Sequence, residues 1–165
     1  MRKWLVFYTK SRHEKKVKDF LTRKGFDVFL PTHKVMRQWS DRKKKVEVPL
    51  FNSYIFVFES EDKIQQILQA PGVSWNIRHN DKPAVLREEE LDIIQRFLSS
   101  GFFVETGSVE ALTAGDTVEV IDGALKGLRG SVIHSSAGDK FSVLLESIQQ
   151  NIIVTVDPVA LRIIR

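Results

Sequence analysis

The side chains best suited to proton transfer or metal binding in this chain are four histidines, His13, His33, His79 and His134. None stands four residues from another and no HExxH pattern occurs, so no helix face presents two of them to a zinc ion. Cysteine is absent, which removes thiolate ligation, a thiol nucleophile and any disulfide framework. There is no GxSxG, P-loop or GxGxxG. The segment GALKGLRG, Gly123 to Gly130, has the glycine density of a phosphate loop. It lacks the GK[ST] ending, and the residues on both sides read as strands, so Gly123, Gly127 and Gly130 read as turn glycines. Asp116, Asp122 and Asp139 fall at turn signals rather than as a paired acid and base. Without a constellation that lowers a barrier, neither an enzyme nor a cofactor or metal is expected.

The chemistry that the chain does concentrate is positive charge. Residues 1–45 hold 15 Lys and Arg against 4 Asp and Glu, whereas residues 101–165 hold 5 against 8. A basic front and a mildly acidic back imply two parts with different partners, and the basic part is a nucleic-acid candidate. Arg12, His13, Lys15, Lys16, Arg23 and Lys24 cluster on a helical segment, and Arg37, Arg42, Lys43, Lys44 and Lys45 on a hairpin segment. Trp39, just before that tip, is placed to stack on a base or to pack at the hairpin root. Cations on neighbouring elements follow a phosphate backbone with strong salt dependence.

These side chains need elements to hold them. WLVFYT, residues 4–9, reads as a strand. In SRHEKKVKDFLTRKG, Val17, Phe20, Leu21 and Lys24 keep helical spacing, with Ser11 as the expected cap and Gly25 as the stop. FDVFLPT is a second strand. VMRQWSDRKKKVEV is a hairpin with its tip at Ser40–Lys45. PLFNSYIFVF is a long strand, EDKIQQILQA a short helix ended by Pro71-Gly72, VSWNIR a further strand and REEELDIIQRFL an acidic-fronted helix. The order β-α-β-β-α-β-α is that of a split β-α-β, ferredoxin-like α+β domain, an antiparallel sheet with helices against it, over residues 1–100. Residues 101–113 read as a linker. Residues 114–165, dense in Val, Ile and Leu with close-spaced turns, read as a small β-barrel. No apolar run reaches the about 20 residues needed to span a bilayer. The cytoplasm is the expected compartment, a monomer the expected state, and no membrane partner is expected.

One pattern asks for a partner. In PLFNSYIFVF, Tyr54, Phe56 and Phe58 alternate with Ile55 and Val57, and in the first strand Trp4, Val6 and Tyr8 alternate with Leu5 and Phe7. Both faces of both strands are apolar, although helices on one side cover only one. The spare face is a protein-contact candidate, suited to a helix lying in an open sheet.

The segments KWLVFYTKSRHEKKV, RKKKVEVPLFNSYIFVF, APGV at Ala70–Val73, KPAVLREEEL and GDTVEVIDGALKGLRGSV, in that order, resemble the NusG family of transcription elongation factors. The last resembles a KOW motif, with Gly123, Gly127 and Gly130 as its glycines and Gly130 at the signature position. SRHEKK with WSDRKKKVEVPLF is most similar to specialised antiterminators of the RfaH and UpxY type; Asn52-Ser53 stands where housekeeping members more often carry Pro-Gly. The resemblance implies an NGN domain joined by a linker to an SH3-like KOW barrel. It implies an operon-specific elongation and antitermination factor that binds the clamp helices of the largest RNA polymerase subunits and suppresses pausing and termination. The polymerase surface would be Trp4, Val6, Tyr8, Phe51, Tyr54 and Phe56, flanked by Ile93 and Phe97 of the third helix. On that reading Phe56→Asp should abolish polymerase binding without unfolding the domain. Lys10, Arg12, His13, Lys16 and Arg23 would meet the non-template DNA strand, and Arg42, Lys43 and Lys44 the upstream duplex. Gln65-Gln66-Ile67-Leu68 replaces the threonine-rich motif of RfaH-like proteins. SIQQN, Ser147 to Asn151, lacks the Phe-Gly pair with which housekeeping members meet a ribosomal protein or Rho. The β-branched FSVLL and NIIVTV favour strands over the helical hairpin of RfaH. The competing reading is a ribosome-associated or RNA-binding KOW protein that never touches polymerase.

Overall fold

The alternating apolar residues of Lys3–Thr9 (β1) and Tyr54–Glu59 (β5) pair antiparallel, with Trp4 opposite Phe58, Val6 opposite Phe56 and Tyr8 opposite Tyr54. The computed structural model describes residues 1–108, 115–135 and 138–164, which divide into two compact units, Met1–Arg87 and Glu88–Arg165.

In the first unit, Asp27–Phe29 (β2) pairs with β5 on one side, and Val73–Asn76 (β6) with β1 on the other. The sheet order is therefore β2-β5-β1-β6, every neighbour antiparallel, with β5 inserted between β1 and β2. Helix α1, Glu14–Arg23, connects β1 to β2, and α2, Ile64–Leu68, follows β5. Leu5, Phe7, Ile55 and Val57 form one buried cluster with Val17 and Leu21 of α1 and Ile64 and Ile67 of α2. The odd-numbered face of β1 is thus the core face. Thr32–Gln38 (β3) and Lys43–Pro49 (β4) make the expected basic hairpin as a sheet of their own, but its tip is Trp39–Arg42 rather than Ser40–Lys45, because Lys43, Lys44 and Lys45 pair with Gln38, Arg37 and Met36 in the ladder. Three short strands were not anticipated. Arg78–His79 (β7) and Lys82–Pro83 (β8) pair with each other, and Val85–Leu86 (β9) pairs with β1. At two residues each, they are too short to show a period.

The start of α1 differs from expectation. His13, not Ser11, occupies the cap position, and its side chain makes no cap hydrogen bond. The chain turns through Arg12, whose φ is 65°, before the helix begins. Glu14 does the anchoring instead. It is buried, and its Oε2 accepts the Ser53 N–H at 2.8 Å, while the Ser53 carbonyl accepts the Thr9 N–H at 2.8 Å. A carboxylate in the first turn also suits the helix dipole. One buried acid therefore ties α1, the end of β1 and the turn before β5 together.

The third helix, α3 at Glu88–Ser99, groups by its contacts with the second unit, although it lies within the residues 1–100 expected to form the first domain. Its buried residues Glu90, Ile94 and Phe97 form a single stripe. Within this unit Phe97 stacks on Phe141 with ring centroids 6.2 Å apart, and Glu90 Oε2 accepts the Ser147 N–H at 3.2 Å. Arg96 donates to the carbonyls of Ala124 and Lys126 at 3.2 and 2.9 Å. An amphipathic pattern shows that a helix has an apolar face but not which sheet will cover it.

The second unit's strands are Val104–Ser108 (β10), Thr117–Val120 (β11), Arg129–Ser135 (β12), Gly138–Leu145 (β13), Gln150–Thr155 (β14) and Leu161–Ile163 (β15). They form an antiparallel sheet in the order β10-β14-β13-β12-β11-β15. Among the described residues, no pairing of β10 with β15 closes it into a barrel. Residues 104–108 of the expected linker are strand β10, and residues 109–113 lie outside the described residues. FSVLL and NIIVTV lie in extended structure, within and just past β13 and β14. Among the described residues, no helix is long and apolar enough to cross a membrane.

Gly130 is required by contact. A Cβ there would overlap the Ser142 carbonyl oxygen and come within 3.0 Å of the Phe141 ring. Gly130→Ala should therefore destabilise the second unit by about 1–3 kcal/mol, the range for overpacking a closed site, read by urea denaturation. Glu14→Ala should cost the first unit about 2 kcal/mol, because it strands a buried N–H that bonds a carboxylate. Partial burial holds His33 below its ordinary 6.5. A base with a depressed folded pKa favours the fold only while neutral. Its contribution should be intact above pH 6.5 and fade as the pH falls below that, and His33→Gln should flatten that slope in thermal melts.

Candidate functional site

The even-numbered face of β1 carries a ladder of rings. Trp75 of β6 lies flat on Tyr8, with centroids 4.6 Å apart and planes 5° apart, and Tyr8 meets Tyr54 edge-on at 5.7 Å. Further along, Trp4 contacts Phe58 at 5.1 Å and Phe29 at 6.1 Å, and Phe29 contacts Phe56 at 6.0 Å. Offset and edge-on ring pairs of this kind stabilise cross-strand neighbours. Arg2 closes the far end. Its guanidinium lies 4.8 Å from the Phe58 ring centroid and pairs with Asp27 at 2.9 Å.

Exposure on this face is uneven. Val6 and Phe56 are fully buried and Phe51 is 2 % exposed, Trp4, Tyr8 and Tyr54 are half-buried, and Trp75 is 54 % exposed. Phe56 is therefore an interior side chain. Phe56→Asp would bury a carboxylate beside Phe29, at a cost of several kcal/mol, so the expectation that this variant leaves the domain folded does not hold. Ile93 and Phe97 belong to the second unit, where Phe97 is fully buried against Phe141.

The cations fall into two groups. Lys10, His13, Lys16 and Arg23 line one groove of about 480 Å³, with Asp19 and Phe20 of α1 and the Pro71-Gly72 turn completing it. Gly72 makes the groove's edge close. Its φ is +96°, and a Cβ there would come within 2.8 Å of Val17 Cγ2. The Lys10 N–H donates to the Gly72 carbonyl at 2.9 Å, which joins the end of β1 to that turn. Arg12 is exposed at the turn before α1 and does not line the groove. The second group is on the hairpin. Arg42 and Lys44 stand 5.7 and 5.6 Å from the Trp39 ring centroid, and Lys43 begins β4. Trp39 is 45 % exposed and carries its cations beside its ring faces, a cation–π arrangement at the tip rather than a packed root. Among the described residues, no group of three or more acidic or histidine side chains could hold a metal ion.

Residues 2–95 match the family model described as transcription termination factor NusG. The chain belongs to the NusG family. It is a NusG-like transcription termination and antitermination factor. The transcription termination/antitermination proteins NusG of Streptococcus pyogenes serotypes M3 and M1 are each 28% identical to it over 145 residues, 79% of both chains. A solved structure titled "Domain interaction in Thermotoga maritima NusG" covers 100% of this chain and 98% of its own, with a TM-score of 0.60 and 20% identity. That likeness is one of fold, a mixed one of antiparallel sheets and few helices.

Within this NusG-family frame, Gly130 occupies the close β12–β13 approach, whereas Gly123 and Gly127 lie in the turn after β11 with open space around them. Sequence reasoning missed Trp75 and Phe29 as members of the aromatic face. The alternation of VSWN and DVF could have placed them, once the pairings Tyr8–Trp75 and Phe29–Phe56 were known. It also missed Glu14, whose role shows only when the turn at Ser53 folds back on it.

If the groove binds a phosphate backbone, Lys16→Ala should weaken binding to any single strand alike and shallow the salt dependence by a little under one unit of log–log slope. Anisotropy of a labelled oligonucleotide across a salt series measures both.

Proposed function

We propose that this NusG-family protein binds the clamp helices of RNA polymerase through the even-numbered face of its first sheet, suppresses pausing and termination, and touches the non-template DNA strand with the groove along α1. The observation that carries the reading is the Trp75–Tyr8–Tyr54 ladder. Its rings are not among the cluster that packs under α1 and α2, and Trp75 is half exposed. Aromatic anchors of this kind dominate helix-in-groove interfaces. Val6, Phe51 and Phe56, being buried, act as the floor beneath the rings rather than as first contacts.

On this reading residues 1–100 are an NGN domain and residues 114–165 a KOW domain. The protein works without cofactor or catalysis in the cytoplasm, and the exposed Arg42, Lys43 and Lys44 meet the upstream duplex. The basic groove beside the aromatic ladder favours a specialised, operon-directed paralogue, because two such surfaces on one unit let polymerase and DNA be engaged together. The SIQQN segment gives no Phe-Gly pair for a ribosomal protein or Rho, so those partners are left to the second unit's remaining surface. A KOW protein working only on RNA or the ribosome would need the cations but not the ladder.

The test is binding of the full chain to core RNA polymerase beside Trp75→Glu, an exposed substitution that leaves the core intact. Wild-type binding weakened about thirtyfold in the variant, the factor equal to about 2 kcal/mol for a hot-spot ring, supports the clamp reading. Equal binding by two chains with the same circular dichroism would remove the ladder from the interface. No binding by either would favour the RNA or ribosome reading.

A further inference from the structure

The groove along α1 is built to attract anions, yet a carboxylate, Asp19, lines it beside Lys16 and Arg23. A negative charge there lowers the phosphate affinity that the cations create. The ordinary use of such an Asp is an ion pair with a cation four residues away, and neither neighbour makes it. Lys15 Nζ donates to the Glu47 carbonyl at 2.6 Å, and Arg23 Nε donates to the main-chain carbonyl of Asp19 at 3.3 Å. Among the described residues, no cation stands within ion-pair distance of the Asp19 carboxylate. It is exposed on the groove wall, next in sequence to Phe20, whose half-buried ring lines the same groove.

We propose that Asp19 makes this groove selective for guanine in single-stranded DNA; the inference rests on the reading of the groove as a DNA contact. An ionised carboxylate offers two acceptor oxygens and no donor. In a single strand the Watson–Crick edge of each base is free to be read. Guanine alone presents two adjacent donors there, N1–H and the N2 amino group, which match the two oxygens. Cytosine and adenine set an acceptor nitrogen beside their amino donor, and the N3–H of thymine lies between two carbonyls. Each of these three brings a lone pair against the carboxylate. Lys16 and Arg23 would hold the flanking phosphates, Phe20, packed against the core with Lys24 Nζ 5.5 Å from its ring centroid, forms part of the wall, and the groove's volume of about 480 Å³ is that of a small-ligand cleft. A carboxylate among cations thus exchanges general affinity for discrimination, a use that a solvated helix surface would not require.

The experiment uses the full chain at low salt and three labelled oligonucleotides: all thymidine, the same with one central guanine, and the same with inosine there, which keeps N1–H but lacks the 2-amino group. Wild type should bind the guanine strand about tenfold tighter than the thymidine strand, as a bidentate base contact does, with inosine between them. Asp19→Asn should bind the thymidine strand more tightly than wild type, because a negative charge is gone, and should lose the guanine preference. An Asp19 that only supported the fold would weaken all three together in the variant. Wild type binding all three strands equally, or Asp19→Asn keeping the preference, would overturn the assignment to Asp19 while leaving the DNA groove in place. Wild type binding none of them would overturn the DNA reading and this inference with it.

Discussion

The register of β1 against β5 is the constraint on which the first unit depends. Leu5, Phe7, Ile55 and Val57 must face α1 and α2, because those four residues and the helices' Val17, Leu21, Ile64 and Ile67 make one core. Side chains alternate along a strand, so a slip of one residue would turn every one of them to the other face. The same constraint fixes Trp4, Val6, Tyr8, Tyr54 and Phe56 on the opposite face with no freedom left. The aromatic ladder is thus specified by the core beneath it, and any change that loosens the core also misaligns the rings.

Strand pairing and helix periods were legible in the sequence where they were long. β1, α1, the β3–β4 hairpin, β5 and α3 each span enough residues for a period to show, and the doubled apolar pattern of β1 and β5 by itself points to a second face. What was illegible depended on partners distant in the chain. Phe97 has helical spacing with Ile93 and Ile94, but only the position of Phe141 shows that its ring belongs to the second unit. Ser11 is a good capping residue by type, yet a left-handed Arg12 and the pull of Glu14 on the turn at Ser53 set the helix start instead. The exposure of Trp75 and the burial of Phe56 likewise follow from which strands lie at the centre and edge of the sheet, and alternation alone is silent on that.

The two surfaces of the first unit are not independent. Tyr8 carries the ladder and Lys10, two residues on, carries the groove; between them Thr9 is fully buried and its N–H is held by Ser53. On the other side, Gly72 closes the groove against Val17 while Val73, the next residue, begins the strand that carries Trp75. The Lys10–Gly72 hydrogen bond joins these two crossings. Both surfaces are therefore mounted on the same pair of chain segments at the same end of the sheet. The distance between the ring ladder and the cationic groove is set by backbone hydrogen bonds, which hold far more rigidly than long side chains do. A partner seated on the rings would in consequence find a nucleic-acid strand presented at a fixed offset, and the geometry that selects one selects the placement of the other.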